Sequence, residues 1–164
     1  MRKGTPMMSP EELERLPFFK DLDAEERALL SGITRKESAV AGQRIFEEGE
    51  PSHTFYIVVS GLVSLRQKTR LGGEEMAMAA GRPGELIGVS AVLGEAGTHP
   101  TSGVCLEPTE LIEIDASVLM AALESNPTVG FRILRRLTHI VAERLAVARA
   151  QIRSQNRPGL ISHG

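Results

Sequence analysis

The segment from Gly84 to Val104 reads GELIGVSAVLGEAGTHPTSGV, and it predicts a turn, a short strand, one helical turn, a polar loop and a second strand. Gly84-Glu85 suits a sharp turn because glycine tolerates positive φ, and Leu86-Ile87 suits a buried strand. Gly88 lets a ligand or another backbone come close. Residues 89–93 then open a helical turn, whose first N–H groups lack internal partners and favour an anion. The segment therefore predicts a phosphate pocket inside a small β-structure.

The composition is typical of a soluble globular protein. The chain has 164 residues, of which 41% are hydrophobic and 24% charged, enough for one domain with a hydrophobic core. A net charge of -2 argues against a general nucleic-acid-binding surface. One cysteine excludes an internal disulfide framework and fits a reduced, cytoplasmic setting. The N-terminus lacks the apolar core of a secretory signal, and no apolar run approaches the roughly 20 residues that span a bilayer.

Helices are predicted at the N-terminus and strands in the middle of the chain. Ser9-Pro10 is typical of a helix start, and Asp23 with Glu26 three residues later forms a second one. From about residue 36, short apolar strands alternate with glycine turns, including a hairpin turn at 71–74. This pattern predicts a mainly β fold with flanking helices, closed or jelly-roll-like.

The remainder of the chain is predicted to be helical. Asp115 is expected to cap a short helix, and Asn126-Pro127 to begin a long helix that runs to about residue 153. Apolar residues on the long helix fall in two stripes, one to cover the β-structure and one to meet a partner helix. We therefore expect a homodimer. The residues expected to carry the dimer and the output are Ile133, Leu134, Leu137, Ile140, Val141, Leu145, Ala148 and Ile152.

Three motifs resemble those of cyclic-nucleotide-binding domains. They are Leu16–Leu22, the run Glu48–Gly61 with its Gly-Glu-Pro turn and apolar strand, and Pro83–Gly88, which looks like the entry to the family's phosphate-binding cassette. The resemblance is closest to the sensor half of bacterial catabolite-activator-like and fumarate-nitrate-type regulators. It implies a double-stranded β-helix or jelly-roll-like β-roll with a long C-terminal helix. The expected boundaries are a disordered N-terminus at 1–10, the domain at 11–153 and a flexible tail at 154–164.

The resemblance also implies a ligand site with altered chemistry. In ligand-binding members an Arg at the end of the cassette loop neutralises the cyclic phosphate; a gap-free alignment puts His99 there, followed by Pro100. A neutral His replaces a bidentate, always-charged Arg poorly, and Val89 cannot accept a hydrogen bond from a ribose hydroxyl. His99 is either a pH-sensitive anion ligand or a solvated loop histidine. The residues expected to line the site are Gly84, Glu85, Gly88, Val89, Ser90, His99, Thr101 and Ser102.

The functional expectation is a non-enzymatic bacterial signalling module. It carries no nucleophile elbow, phosphate-binding loop of the nucleotide triphosphatases or zinc-protease motif, so no catalytic or metal site is expected. The ligand would be a cyclic nucleotide or another phosphate-bearing anion, and the long helix would signal to a protein partner. The sequence ends shortly after that helix, so a helix-turn-helix is not expected, and neither DNA nor a membrane is an expected partner. The alternatives are a ligand-free interaction scaffold and a catabolite-activator-type regulator without its helix-turn-helix.

Overall fold

The structure, a computed structural model, describes residues 6–69, 73–93 and 97–155. The chain divides into two compact units, Met1–Ala122 and Leu123–Gly164. The elements in chain order are α1 (Pro10–Glu14), α2 (Ala24–Ser31), β1 (Thr34–Ala39), β2 (Arg44–Phe46), β3 (Thr54–Ser60), β4 (Val63–Lys68), β5 (Glu75–Gly81), β6 (Leu86–Ile87), α3 (Ser90–Leu93), β7 (Ser102–Cys105), β8 (Thr109–Asp115), α4 (Ala116–Ser125) and α5 (Pro127–Gln155).

Both predicted N-terminal helices begin with a capping box. In α1 the Ser9 hydroxyl accepts the N–H of Glu12, whose carboxylate accepts the N–H of Ser9. Asp23 and Glu26 exchange the same two bonds at α2. Each pair satisfies two backbone donors that a helix start otherwise leaves without partners, which fixes where the helix begins. The two predicted helix starts are confirmed.

Residues 6–8, which precede α1, pair with the backbone of β1. Met7 forms an antiparallel bridge with Arg35, and the N–H of Met8 donates to the carbonyl of Thr34 at 3.3 Å. Met8 is also buried. Backbone pairing with β1 thus includes part of the segment 1–10 that is expected to be disordered; residues 1–5 lie outside the described part of the chain.

The strands of the first unit form two four-stranded antiparallel sheets. Their strand orders are β1-β8-β3-β6 and β2-β7-β4-β5. Side chains from both sheets meet in one core, so the predicted β-roll is confirmed. Cys105 is fully buried in it and packs as a small apolar residue. One cluster of buried residues between the sheets comprises Ala39, Phe46, Tyr56, Val58, Val63, Ile87, Cys105 and Leu111.

A glycine turn carries the chain from one sheet to the other. Gly61, between β3 and β4, has φ of 88°, and a Cβ there would lie 2.5 Å from Thr109 Oγ1 and 2.6 Å from the carbonyl of Pro108. The position therefore requires glycine for both its backbone angle and its space. Further along, β4 and β5 pair as an antiparallel hairpin; the predicted turn at 71–74 falls partly on residues 70–72, outside the described residues.

The second unit is dominated by α5. The N–H of Gly130 donates to the carbonyl of Asn126 at 2.8 Å, and the N–H of Val129 donates to the Asn126 side chain at 3.4 Å. Asn126 thus caps the helix at the predicted place. α5 ends at Gln155, close to the predicted end at 153; the expected flexible tail falls mostly on residues 156–164, which lie outside the described part of the chain.

Candidate functional site

The segment 84–104, called the cassette from here on, folds around the short strand β6. Residues Leu86 and Ile87 of β6 pair with Ile57 and Tyr56 of β3, and both are buried. The N–H of Gly84 donates to the carbonyl of Val58 at 2.8 Å, so the entry turn is tied to the same strand. The sheet therefore fixes the point at which the chain turns into α3.

Gly88 stands at that point in a conformation that favours glycine. Its φ is 72°, and a Cβ there would lie 3.2 Å from the carbonyl of Thr54 and 3.5 Å from Cε1 of His99. A side chain at this position would be strained by the backbone angle and would crowd the carbonyl of Thr54. The backbone of β3 at Thr54 thus comes close to Gly88, as predicted, and the ring of His99 lies at van der Waals distance.

His99 is buried in the cassette, with only 5% of its surface exposed. Its ring stacks on Phe46, with centroids 4.4 Å apart and planes 18° apart. Nδ1 lies 3.3 Å from Oγ of Ser52. The interpretation of His99 as a solvated loop histidine is therefore wrong, because the loop folds its ring inward onto an aromatic side chain.

Two serines complete the polar group around this ring. Ser52 Oγ lies 3.2 Å from Oγ of Ser90, so the two hydroxyls and the imidazole form a continuous hydrogen-bonded set. Ser52 is buried, and Ser90 is partly exposed. Ser52 was not predicted from the sequence. It directly follows the Gly-Glu-Pro turn of one of the motifs, but that position alone does not reveal that the turn faces Ser90.

The backbone holds His99 in this position. The N–H of His99 donates to the carbonyl of Glu50 at 2.9 Å, and the carbonyl of His99 accepts the N–H of Gly49 at 2.9 Å. The N–H of Ser52 donates to the carbonyl of Gly97 at 2.7 Å. The loop end and the turn at 49–52 thus form a small antiparallel clasp, which aligns the His99 ring with Ser52.

Burial lowers the pKa of His99 below its usual value. Desolvation is the largest cause; the nearby Glu50 carboxylate acts in the opposite direction, and His53 adds to the lowering. The imidazole is therefore neutral at pH 7. A neutral hydrogen-bonding ring stands where the family resemblance places an always-charged guanidinium.

The other predicted site residues are divided between the cassette and local structure. Ser102 is fully buried, and its Oγ accepts the N–H of Glu48 at 3.0 Å. The Glu85 carboxylate accepts the N–H of Arg82 at 2.8 Å within its own turn. Of the predicted set, Gly88, Ser90 and His99 come together around Ser52. The remaining predicted residues, Gly84, Val89 and Thr101, are half-buried.

The predicted output residues on α5 differ in exposure. Ile133 and Leu137 are buried, whereas Leu145 is 49% exposed. Leu134, Ile140 and Val141 are half-buried and Ala148 is exposed; the side chain of Ile152 lies outside the described residues. Phe131, which was not predicted, is 67% exposed. It forms an open apolar surface on the helix together with Leu134, Arg135, Thr138, His139 and Ala142.

The described residues form neither a cluster of metal-binding side chains nor a helix that could cross a membrane. Within 6–69, 73–93 and 97–155, no three His, Cys, Asp or Glu side chains are grouped so as to hold a metal ion. None of the helices in the same ranges combines the length and apolar character that crossing a membrane requires.

Sequence and structure comparisons connect this geometry to known proteins. Residues 36–126 match the cyclic nucleotide-binding domain. The chain is 32% identical to the cyclic AMP receptor protein of Thermus thermophilus over 127 residues, 77% of this chain and 58% of the receptor. It is also 27% identical to glutaminase 2 of Bradyrhizobium diazoefficiens, over 82% of this chain and 20% of that enzyme. The chain thus spans less than two thirds of these relatives.

A solved structure supports the same fold. The cyclic nucleotide-binding domain from Methylobacillus flagellatus superposes with a TM-score of 0.75 over 93% of this chain and 85% of that chain, at 21% identity. With the motif resemblance, the two-sheet roll, the Gly88 cassette and the match over 36–126, we conclude that the chain belongs to the cyclic nucleotide-binding domain family.

Proposed function

We propose that this chain is a non-enzymatic regulatory module whose cassette binds a phosphate-bearing ligand, either a cyclic nucleotide or another small anion. Binding would bias helix α5, and a protein partner would read that change. A ligand can shift such an equilibrium only by as much as its affinity differs between the two states. A cytoplasmic location and a homodimer are parts of the same proposal.

The observation that carries the proposal is the convergence of Ser52, Ser90 and His99 beside Gly88. Two hydroxyls and one imidazole supply hydrogen-bond donors. The side chains are linked to one another at 3.2 and 3.3 Å, so they act as one polar group. A phosphate oxygen is a strong acceptor that would suit these donors.

The affinity of the cassette for a phosphate at pH 7 is expected to be low. A neutral His99 offers a hydrogen bond but no charge, whereas an arginine offers a charge-assisted pair of bonds. Loss of a charged partner costs about 1.5–3 kcal/mol, or roughly one to two orders of magnitude in affinity. We therefore expect dissociation constants well above those of an arginine-containing cassette.

Calorimetric titration and thermal denaturation test the proposal. Cyclic AMP, cyclic GMP and a cyclic dinucleotide would each be added at millimolar concentration near pH 7. We expect saturable heat and a rise in the unfolding temperature for at least one of them. Ser52→Ala should weaken that response, and Ser38→Ala should not, because Ser38 lies on β1 at the opposite edge of the first sheet from β6. No response to any of the three would contradict the proposal.

The proposed homodimer rests on a seven-residue pattern along α5. Phe131, Leu134, Thr138, Val141, Leu145 and Ala148 alternate in steps of three and four, and none of them is buried. We call this set the exposed stripe. Such spacing is typical of helices that pair in a left-handed coiled coil, and a second copy of α5 would cover its apolar members.

A ligand-free scaffold remains the second candidate, and one observation favours it. Ser102 and Glu85, both expected ligand contacts, are already occupied by the N–H groups of Glu48 and Arg82. A cassette whose polar groups satisfy one another needs no ligand to be stable. The scaffold predicts no heat in the titration described above. A third candidate, a catabolite-activator-type regulator, predicts salt-dependent retardation of duplex DNA in a gel.

A further inference from the structure

The cassette has an ionisable group at its centre but keeps it uncharged. His99 is 5% exposed, stacked on Phe46 and bonded through Nδ1 to a hydroxyl. Neither Phe46 nor Ser52, the hydroxyl partner, carries a charge. The neutral ring can therefore still take up a proton, and it lies where the ligand would be held.

The ring is unable to leave this place easily. His99 is fixed by its own N–H and carbonyl, which pair with Glu50 and Gly49. Turning the ring out to solvent would break the stacking on Phe46 and the bond to Ser52, and would strain the clasp. The ring therefore stays in place, and an anion bound beside Gly88 would contact the imidazole directly.

A buried anion next to a neutral ring lacks a counter-charge. Removing a phosphate from water without compensation is costly, and buried charges in proteins are accordingly paired. The imidazole can supply the missing charge by taking up one proton, since an opposite charge within a few ångströms favours the charged form of a histidine. The hydroxyls of Ser52 and Ser90 can rotate to donate to the phosphate or accept from the imidazolium.

We propose that the cassette binds a phosphate-bearing anion together with one proton, which His99 takes up, so that affinity for the anion rises as the pH falls. This inference rests on the proposed function, because it concerns the same site. Occupancy of the site would then depend on both the ligand concentration and the pH. An arginine in this position would respond to the ligand alone, since it is charged throughout the physiological range.

The other groups that face His99 modulate this coupling without supplying it. From the turn at 49–53, Glu50 raises the pKa of His99 and His53 lowers it. From the remaining neighbouring segments come uncharged groups: Phe46 at the end of β2, Ser90 of α3 and the backbone at Gly88. Residues 94–96, which include Glu95, lie outside the described part of the chain. His99 is thus the ionisable group that lies within the hydrogen-bonded set of Ser52 and Ser90.

Proton uptake measured by calorimetry tests the inference. Cyclic AMP is a suitable probe because its phosphodiester keeps one negative charge between about pH 5.5 and pH 8, so the ligand does not titrate in the range where a histidine does. Titrations in two buffers of different ionisation heat give the number of protons bound with the ligand. We expect uptake approaching one proton at pH 7 and affinity that rises by up to about tenfold for each unit that the pH falls.

Two variants at His99 and two control variants sharpen the test. His99→Arg should bind cyclic AMP with no proton uptake and with affinity independent of pH, while His99→Gln should lose the pH dependence and bind weakly. His53→Gln and His139→Gln, which change exposed histidines, should keep the wild-type uptake. Circular dichroism would confirm that each variant is folded; the wild-type uptake does not depend on any variant.

The possible results separate this inference from the proposed function. Binding of cyclic AMP with no proton uptake and a constant affinity from pH 5.5 to pH 8 contradicts the inference and leaves the proposed function standing. Absence of binding across the whole range contradicts both. Proton uptake that persists in His99→Gln assigns the proton to another group and contradicts the inference.

Discussion

His99 lies at the centre of the cassette in an environment that favours the neutral form of its ring. Burial lowers the pKa of His99, whose ring stacks on Phe46 and lies within hydrogen-bond distance of the Ser52 hydroxyl. In the free protein, acid therefore works against the folded state. A bound anion would reverse this sign, since it would favour the imidazolium.

The pH dependence of stability follows from this sign. A histidine whose pKa is lower in the folded chain than in the unfolded chain gives full stability above its unfolded value, and stability is lost as the pH falls towards the folded value. The free energy of unfolding, measured with urea, should therefore decline between pH 7.5 and about pH 5.5. His99→Gln should be less stable at pH 7.5 but should show a shallower decline.

His53→Gln is the matched control for this prediction because His53 is exposed. It should keep the wild-type slope. An equally steep decline in His99→Gln would show that other groups cause the acid sensitivity, and the neutral, buried state of His99 would then be in doubt.

Gly61 tests the turn that links the two sheets. Gly61→Ala places a Cβ within 2.6 Å of Thr109 Oγ1 and the Pro108 carbonyl, at a φ of 88°. Left-handed strain and overpacking together should destabilise the fold by about 2–4 kcal/mol. Gly42→Ala is the control, since Gly42 has a similar φ of 83° but no heavy atom within 4 Å of the added Cβ. It should cost about 1–2 kcal/mol, and equal losses in urea denaturation would contradict the packing argument.

At the scale of elements, helix starts could be predicted from local sequence, whereas the pairing of distant segments could not. Ser9 with Glu12 and Asp23 with Glu26 lie three residues apart, so their capping boxes are visible in the sequence. The burial of His99 depends on Gly49 and Glu50, about fifty residues earlier in the chain. No local pattern specifies that pairing, which is why both the solvated interpretation of His99 and the omission of Ser52 arose.

Helix α5 carries the prediction for assembly. Leu145 belongs to the exposed stripe and is 49% exposed, so Leu145→Glu should weaken a dimer at least about tenfold, because it places a charge in an apolar interface. Ala150→Glu is the control, on the same helix but away from the stripe, and it should leave the mass unchanged. Multi-angle light scattering measures both; a monomeric wild type, or a dimer that survives Leu145→Glu, would contradict the proposed interface.

Leu137 is less suitable for the same test, although it belongs to the residues predicted for the dimer. Only 1% of its surface is exposed within the single chain. A charge there would destabilise the fold itself, so loss of the dimer would not report on the interface. The seven-residue spacing was partly visible in the sequence, but the sequence did not distinguish the buried positions from the exposed ones.

For the whole molecule, the fold class and the cassette backbone were predictable, and the chemistry of the site was not. Glycine turns, short apolar strands and the three motifs indicated the β-roll, which the two sheets and the match over residues 36–126 confirm. The resemblance also implied that His99 stands in the place of the family's arginine. The sequence did not reveal the packing around that residue: a ring stacked on Phe46, the hydroxyls of Ser52 and Ser90, and a lowered pKa of His99.

The central claim, that the cassette around His99 is a working anion site, is tested most directly by nuclear magnetic resonance of the imidazole groups. Four histidines give few signals, and the spectrum of His99→Gln identifies the one from His99. Titration with cyclic AMP near pH 6.5 is predicted to move the His99 signal towards the imidazolium position, with smaller changes at His139. A His99 signal that stays fixed at millimolar cyclic AMP, in protein that remains folded, would contradict the account.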